Sequence, residues 1–287
     1  MNPNAHNQQN HTLAYTTGPG SDPTDPFHPS RPTPTKSKTP DAAAEARRAR
    51  RWARATLVAH VAFTLSWLLA AAWQGPRYNV FSQSISDMYA EGAPGAWFLI
   101  IVLTWAGVTL VLFTRYALWP TLRAAGRPAA IGAAALALSI FGIGDVLTLF
   151  EREGCQLASS GCTSSRQLAN SGGSLDAILS TAGVLFLVIA GFCLAAAFKR
   201  IAAAGDVDEQ RQVNGMRTWA RPARRASVAM IVLFLGDGLT QSAGLSGMFE
   251  RFIALLGAAS IVALALGVLR EPRTSTLAQQ PDALTAA

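Results

Sequence analysis

The sequence predicts an all-α, polytopic membrane protein: a bundle of six transmembrane helices with both termini in the cytoplasm. Only 14% of the 287 residues are charged, whereas about a quarter are charged in soluble domains. The apolar residues form long blocks, and the stretches between Glu91 and Arg115 and between Asp176 and Lys199 contain no charged residue. Each stretch exceeds the roughly 20 residues that cross a hydrocarbon core. Basic residues also collect on one side of the predicted bundle, which is typical of a cytoplasmic face.

The amino-terminal segment predicts a disordered cytoplasmic tail over residues 1–45. It carries eight of the fifteen prolines, and its polar composition buries too little apolar surface to offset the entropy of ordering. Five arginines follow directly before the first apolar block, within Arg47–Arg54. Beside a membrane span, we expect this run to contact anionic lipid rather than nucleic acid.

The membrane domain is expected over residues 46–272, with a disordered tail over 273–287. Six apolar runs predict its helices, and their length favours helices because strands of a barrel are about half as long and alternate in polarity. Asp145 interrupts the third run late, and Asp237 interrupts the fifth at about mid-depth. The predicted spans are 55–74, 96–118, 129–150, 175–198, 226–245 and 249–269.

The orientation follows from the distribution of basic residues. With the amino terminus inside, the inner segments hold twenty Lys and Arg residues. The outer segments hold four, namely Arg77, Arg152, Arg166 and Arg251. The positive-inside rule therefore predicts a multi-pass protein of the cell membrane with both termini cytoplasmic.

Carboxyl groups show the opposite distribution and predict an outward-facing acidic pocket. Tyr78–Trp97 combines hydroxyl, acidic and aromatic side chains between two apolar spans. A charge within a span costs at least about 2.5–3.5 kcal/mol unless it is paired, protonated or faces a polar cavity. Two alternatives stay open: structural ion pairs with Arg251, Arg166 or Arg77, and a solvated connector. The predicted pocket residues are Ser84, Ser86, Asp87, Asp145, Asp176, Asp237, Gln241 and Arg251.

The cysteines predict one local disulfide. Cys155 and Cys162 lie in the predicted outer loop after the third span, where thiols can oxidise, and six residues between them are enough to close the ring. No His or further Cys lies close by in the sequence, so a metal site is not expected there. Cys193 falls within the fourth span and is interpreted as a packing residue.

Three classes of function are consistent with these features. The first is binding or transport of a small polar or cationic solute, or of a lipid head group, in the acidic pocket. The second is a membrane-embedded enzyme that acts on an envelope lipid, with Asp87 and Asp237 as acid and base. The third is a non-catalytic partner protein that uses its basic arm. The sequence contains no nucleophile elbow, zinc-protease motif or phosphate loop, so we predict no catalytic residue, metal or cofactor, and lean against an enzyme.

The outer loop and the start of the last helix also carry a family resemblance. Tyr78, Ser82–Asp87, Ala90, Gly92, Pro94 and Trp97, followed much later by Gly247–Phe252, resemble the prokaryotic membrane-protein family catalogued as domain of unknown function 998. The resemblance covers about residues 56–270 and implies a six-helix bundle without an assigned activity. This chain departs from the family in having Phe150-Glu151 without a proline, and Ser174–Asp176 without a histidine.

Overall fold

The structure, a computed structural model, describes residues 40–204 and 210–270, with side chains described for residues 43–203 and 219–270. All regular structure in these ranges is helical. Six helical segments are long and apolar enough to cross a membrane, which confirms the predicted six-span architecture. The long helices are α1 (Pro40–Ala70), α2 (Ala96–Phe113), α3 (Arg127–Leu138), α4 (Ser171–Ala204), α5 (Gln210–Thr240) and α6 (Ser246–Arg270).

The helices extend beyond the predicted apolar runs. Helix α1 begins at Pro40, so residues 40–45, which the sequence assigned to the tail, are helical. This segment, PDAAAE, contains three alanines and a glutamate, which favour helix, and proline is well suited to the first helical position. The rest of the predicted tails, residues 1–39 and 273–287, lies outside the described residues.

The six helices form a closed ring in which each packs on its neighbours in sequence, and α6 packs on α1. Arg48 in α1 lies over the Tyr116 ring, which follows α2, at 5.3 Å. Arg200 in α4 donates a hydrogen bond to the Ala125 carbonyl at 3.3 Å. These contacts gather the start of α1, the chain after α2 and the end of α4 at one end of the bundle. We call it the basic end, and the opposite one the cap end.

The third span is broken in a way that the sequence did not reveal. Helix α3 ends at Leu138, Ser139 is extended, and a π-helical turn (Ile140–Gly144) and a single α-turn (Asp145–Leu147) complete the crossing. The Ser139 hydroxyl donates to the Leu136 carbonyl at 2.8 Å and so competes with the helical backbone pattern. A Cβ atom at Gly142 would lie 2.0 Å from the Ala137 carbonyl oxygen, so only glycine fits this turn.

The break in the third span places Phe141 inside the ring of six helices. Its side chain is 3% exposed and packs edge-on against Phe63 of α1, with 5.4 Å between ring centroids. On its other side, the phenyl ring of Phe141 lies against Gly257 of α6. A Cβ atom at Gly257 would be 2.3 Å from the nearest carbon of this phenyl ring. The interrupted span is therefore held by packing against helices on both sides.

Candidate functional site

The cap comprises residues 74–95, between α1 and α2, and closes the cap end of the bundle. Its last turn is fixed to the end of the first span. The Trp73 indole N–H donates to the Pro94 carbonyl at 3.1 Å, and the buried Gln74 amide donates to the same carbonyl at 3.3 Å. Gly95 has φ of 69°, and a Cβ there would lie 2.6 Å from Trp73 Nε1. Glycine therefore allows the close turn into α2.

Helix α6 holds the other side of the cap. Arg251 donates from Nη1 to the carbonyls of Val80 at 2.8 Å and Gln83 at 2.7 Å, and from Nη2 to the Tyr78 hydroxyl. A Cβ at Gly247 would lie 2.3 Å from the Gln83 carbonyl oxygen, so glycine is what lets the cap backbone rest on α6. The sequence placed Arg251 in the pocket; its hydrogen bonds tie the cap to α6, and its charge also acts on Asp87.

An acidic cluster lies beneath the cap, centred on the Gln167 side chain. Gln167 Nε2 donates to Asp87 Oδ1 at 3.0 Å and to Glu153 Oε2 at 2.6 Å. The Ser86 hydroxyl donates to Glu153 Oε1 at 3.0 Å, and the Leu157 amide donates to Asp87 Oδ1 at 2.6 Å. Asp87 is fully buried, and its Oδ2 has no hydrogen-bond partner among the described residues.

The cluster continues toward the centre of the bundle through Tyr89. The buried Tyr89 side chain lies within electrostatic range of Asp176, near the start of α4. Glu151 lies within electrostatic range of both Asp176 and Asp145. The nearby Arg152 guanidinium donates to the backbone carbonyls of Tyr89 at 3.0 Å and Ala90 at 3.1 Å. These hydrogen bonds of Arg152, like those of Arg251, therefore go to neutral acceptors.

Burial shifts the acid–base equilibria of the groups outside the spans. Removal from water raises the pKa of Asp87 to about 6, although the bonds from Leu157 and Gln167 oppose this. Burial, together with the neighbouring carboxyls of Asp176 and Asp87, raises the pKa of Glu153 to about 8. Burial and the charges of Asp176 and Asp145 raise the pKa of Glu151 to about 9. The pKa values of Asp87 and the two glutamates therefore lie between about 6 and about 9.

The structure brings together half of the predicted pocket residues. Ser84, Ser86 and Asp87 form one hydrogen-bonded turn, with 2.8 Å between the serine hydroxyls and 3.0 Å from the Asp87 amide to Ser84 Oγ. Asp176 joins them through Tyr89. Asp145 lies deeper, Asp237 is half-buried in α5, and Gln241 is exposed just after α5.

Several members of the cluster were missed by the sequence reasoning. The predicted pocket residues did not include Glu151, Glu153, Glu250, Gln167 or Tyr89, although Tyr89 lies in the predicted Tyr78–Trp97 stretch. One signal was available, because Glu151 and Glu153 directly follow the third span. No local signal marks Gln167, since its partners are 80 residues and 14 residues away in the sequence.

The loop after the third span shapes one wall of the cluster. The Cys155 and Cys162 sulfur atoms are bonded to each other, with 5.9 Å between the Cα atoms. The intervening Gln156 donates to Gln74 Oε1 at 2.7 Å, and Leu157 supplies the amide bound to Asp87. The loop closed by the disulfide thus presents two hydrogen-bond donors: the Gln156 side-chain amide to the cap, and the Leu157 backbone amide to the acidic cluster.

Two further observations limit the chemistry. Among the described residues, no group of three or more His, Cys, Asp or Glu side chains is arranged to hold a metal ion. A cavity of about 240 Å³ lies between α4, α5 and α6 in the half nearer the basic end, and its lining is mainly apolar, including Leu194, Trp219 and Met230. This cavity suits hydrocarbon, so a polar solute has its complementary groups in the acidic cluster instead.

The comparison with protein families agrees with the motif in the cap. A family model with the description "Protein of unknown function (DUF998)" matches residues 57–267. The chain belongs to the DUF998 family. The matched range contains the cap, the acidic cluster and nearly all of the six spans. No curated protein and no solved structure matches the chain significantly, so membership of DUF998 is the relationship that the comparisons establish, and it carries no activity.

Proposed function

We propose that this DUF998 protein binds a small cationic solute, or the ammonium head group of a lipid, at the acidic cluster, and holds it or moves it across the membrane. The observation that carries the proposal is Asp87 Oδ2, a fully buried carboxylate oxygen without a hydrogen-bond partner among the described residues. Such an oxygen costs free energy unless a donor reaches it. An ammonium group supplies that donor and a compensating charge.

The charges around Asp87 support a cation rather than an anion. Glu153 lies within electrostatic range of Asp87 and Asp176, and Glu151 within range of Asp176. Arg251 also acts on Asp87 through its charge, but the hydrogen bonds of Arg152 and Arg251 go to carbonyls and a tyrosine. Intramembrane acidic groups commonly mark the paths of ions and cationic substrates. An anionic ligand would be repelled by several carboxyl groups. The two arginines near the cluster, Arg152 and Arg251, already donate hydrogen bonds to carbonyls and to the Tyr78 hydroxyl.

The acid–base equilibria predict how binding depends on pH. Cation binding requires ionised carboxylates, whereas burial raises the pKa of Glu153 to about 8. Affinity for a cation should therefore rise between pH 6 and pH 9, by up to about tenfold per pH unit for each proton released. A site that recognised only a neutral polar solute would lack this dependence.

The test uses purified protein in detergent and three probes, namely choline, ethanolamine and putrescine. We expect at least one of them to raise the thermal unfolding midpoint at pH 8, and the Asp87→Asn variant to lose this shift. Glycerol and equimolar NaCl are the solute controls, and Glu91→Gln, an exposed carboxyl on the cap, is the matched variant. If folded wild-type protein responds to none of the three probes beyond the NaCl control, the proposal is wrong.

The same proposal includes an orientation and a location. We propose that the protein resides in the cell membrane of a prokaryote, with the basic end toward the cytoplasm and the cluster facing outward. The arginines within Arg47–Arg54 support this, because a juxtamembrane basic run attracts anionic lipids of the cytoplasmic leaflet.

The enzyme hypothesis finds no specific support. It required Asp87 and Asp237 to act together, but Asp87 is bonded to Leu157 and Gln167, and Asp237 is within electrostatic range of Glu250. We therefore do not propose a reaction. The hypothesis of a partner protein docked by the basic arm stays a prediction. The arginines within Arg47–Arg54 lie in α1, and residues 1–39 lie outside the described residues.

A further inference from the structure

Two titratable side chains lie in the interior of the bundle with an unsatisfied polar atom each. His60 of α1 is fully buried, its Nδ1 lies 3.0 Å from the Thr56 carbonyl oxygen, and its Nε2 has no partner among the described residues. Asp145 is 5% exposed, and its Oδ2 likewise has no partner there. Buried polar atoms without partners are rare, and each calls for a physical explanation.

Both groups lie at about the same level, roughly midway along the bundle. A Cβ at Gly107 of α2 would be 2.9 Å from Asp145 Cβ, so the two residues share a depth. Gly107 is eleven residues after the start of α2, which is roughly 16 Å at 1.5 Å per residue. The Thr56 hydroxyl of α1 donates to the Thr109 carbonyl of α2 at 2.9 Å, and His60 is one turn from Thr56 toward the cap. His60 is therefore at nearly the same level as Gly107.

The acidic cluster connects Asp145 to the cap end. Asp145 interacts electrostatically with Glu151, Glu151 with Asp176, and Asp176 with Glu153. Glu153 and Asp87 then share the Gln167 amide directly beneath the cap. Successive titratable groups thus run from the cap to roughly midway along the bundle.

Hydroxyl groups continue this line toward the basic end. Thr56 is fully buried, Thr109 is 2% exposed, and Thr114 is 4% exposed. Thr114 follows Gly107 by seven residues, roughly 10 Å farther along the helix. Each of these hydroxyls donates to a backbone carbonyl and keeps lone pairs that can accept a hydrogen bond from water. Phe141 lies beside His60, with 6.2 Å between the ring centroids.

We propose that this line of buried groups conducts protons between the cap end and the basic end, with Asp145 and His60 as the central carriers. In each step a carboxylic acid or imidazolium gives up one proton to the next carboxylate, imidazole or intervening water, so charge and atoms balance without a redox reaction. Water bridges the stretches between side chains. The proposal does not depend on which solute, if any, the acidic cluster binds.

Among the described residues, few titratable or charged groups lie close to the two proposed carriers, Asp145 and His60. Asp145 faces Glu151, and its contact with α2 is to Gly107. His60 faces the Phe63 and Phe141 rings and the Thr56 carbonyl. Between these carriers and the cap, the groups that titrate or carry charge are Asp87, Tyr89, Arg152, Glu153, Asp176, Glu250 and Arg251.

The test measures proton flux in liposomes that contain the purified protein and a trapped pH-sensitive dye. A potassium gradient with valinomycin supplies the driving potential. We expect wild-type protein to acidify the lumen faster than protein-free liposomes, and Asp145→Asn to reduce this flux at least tenfold. His60→Gln should reduce it at least fivefold, whereas Asp145→Glu should retain a third or more. Glu91→Gln, which changes an exposed carboxyl on the cap, should stay within twofold of wild type.

Folding is monitored by size-exclusion chromatography and thermal unfolding for every variant. If Asp145→Asn does not fold, the wild-type protein is treated with dicyclohexylcarbodiimide, which attacks protonated carboxyls in apolar surroundings. The flux should then fall in parallel with an adduct located on Asp145 by mass spectrometry. Wild-type flux equal to that of empty liposomes overturns the proposal. So does full flux in folded Asp145→Asn, or unchanged flux after complete labelling of Asp145.

Discussion

Glu250 accepts the Ile85 amide hydrogen with both of its carboxylate oxygens, each at 3.1 Å, although the two residues are 165 positions apart. The bond joins the cap to the first turns of α6. The next residue, Arg251, adds hydrogen bonds to Val80, Gln83 and Tyr78 in the same cap. The Glu250-Arg251 pair therefore determines how the cap sits over the acidic cluster.

The first prediction concerns this attachment. Arg251→Gln removes charge-assisted hydrogen bonds to several carbonyls, so the free energy of unfolding should fall by about 2–3 kcal/mol. Arg77→Gln, at an exposed position of the same cap, should change it by less than about 0.5 kcal/mol. Thermal unfolding in detergent compares the two variants. Equal stability of both variants would mean that Arg251 does not anchor the cap.

The fold was predictable because its signals are local. The second and fourth spans contain long apolar runs without charge, between Glu91 and Arg115 and between Asp176 and Lys199, and each run forms most or all of one long helix. The break in the third span was not predictable, because Ser139 and Gly142 are ordinary residues in an apolar run. Their effect depends on packing: Phe141 needs the space at Gly257, which lies over a hundred residues away in the sequence.

The candidate site was predictable only in part, for a related reason. Asp87 and its serines were visible as a dense polar stretch between two apolar runs. Their partners Glu153 and Gln167 arrive from another loop, which the pairing of the helices brings beneath the cap. Asp145 and Asp237 share a Gly-Asp-x-Leu-Thr motif, but one packs on Gly107 and the other is half-buried in α5. Sequence similarity did not distinguish these surroundings.

The second prediction concerns pH. Burial raises the pKa of Glu153 from the ordinary 4.5 to about 8, so the folded state holds a proton that the unfolded chain loses between these values. The folded state thus binds more protons in this window, and the free energy of unfolding should fall as pH rises, by up to about 1.4 kcal/mol per pH unit and proton. Below about pH 4.5 this stabilisation is complete.

Glu153→Gln tests that assignment, since an amide resembles the protonated acid at every pH. Thermal unfolding midpoints between pH 5 and pH 9 should decline less steeply for Glu153→Gln than for wild type. The variant should also be the more stable of the two at pH 9. Glu91→Gln, at an exposed position, should follow the wild-type curve. Parallel curves for Glu153→Gln and wild type would exclude Glu153 as the source of the pH dependence.

The third prediction concerns the approach of α2 to the broken span. A Cβ at Gly107 would lie 2.6 Å from the Gly142 carbonyl oxygen and 2.7 Å from the Val146 amide nitrogen. Because both neighbours are backbone atoms, Gly107→Ala should lower the free energy of unfolding by about 1–3 kcal/mol. Gly238→Ala, with no atom within 4 Å of the added Cβ, should be neutral or stabilising by up to about 1 kcal/mol. Unfolding by SDS titration compares them, and equal effects would refute the predicted contact.

The fourth prediction concerns orientation. The sequence assigns twenty of the twenty-four basic residues to predicted cytoplasmic segments, and this bias should keep the basic end in the cytoplasm. Green fluorescent protein fused after Ala287 should fluoresce in bacterial cells, whereas alkaline phosphatase fused there should be inactive, since it folds only after export. A second pair of fusions after Gly92 in the cap should give the opposite result. Active phosphatase at Ala287 would place the acidic cluster on the cytoplasmic side and would remove the proposed access from outside.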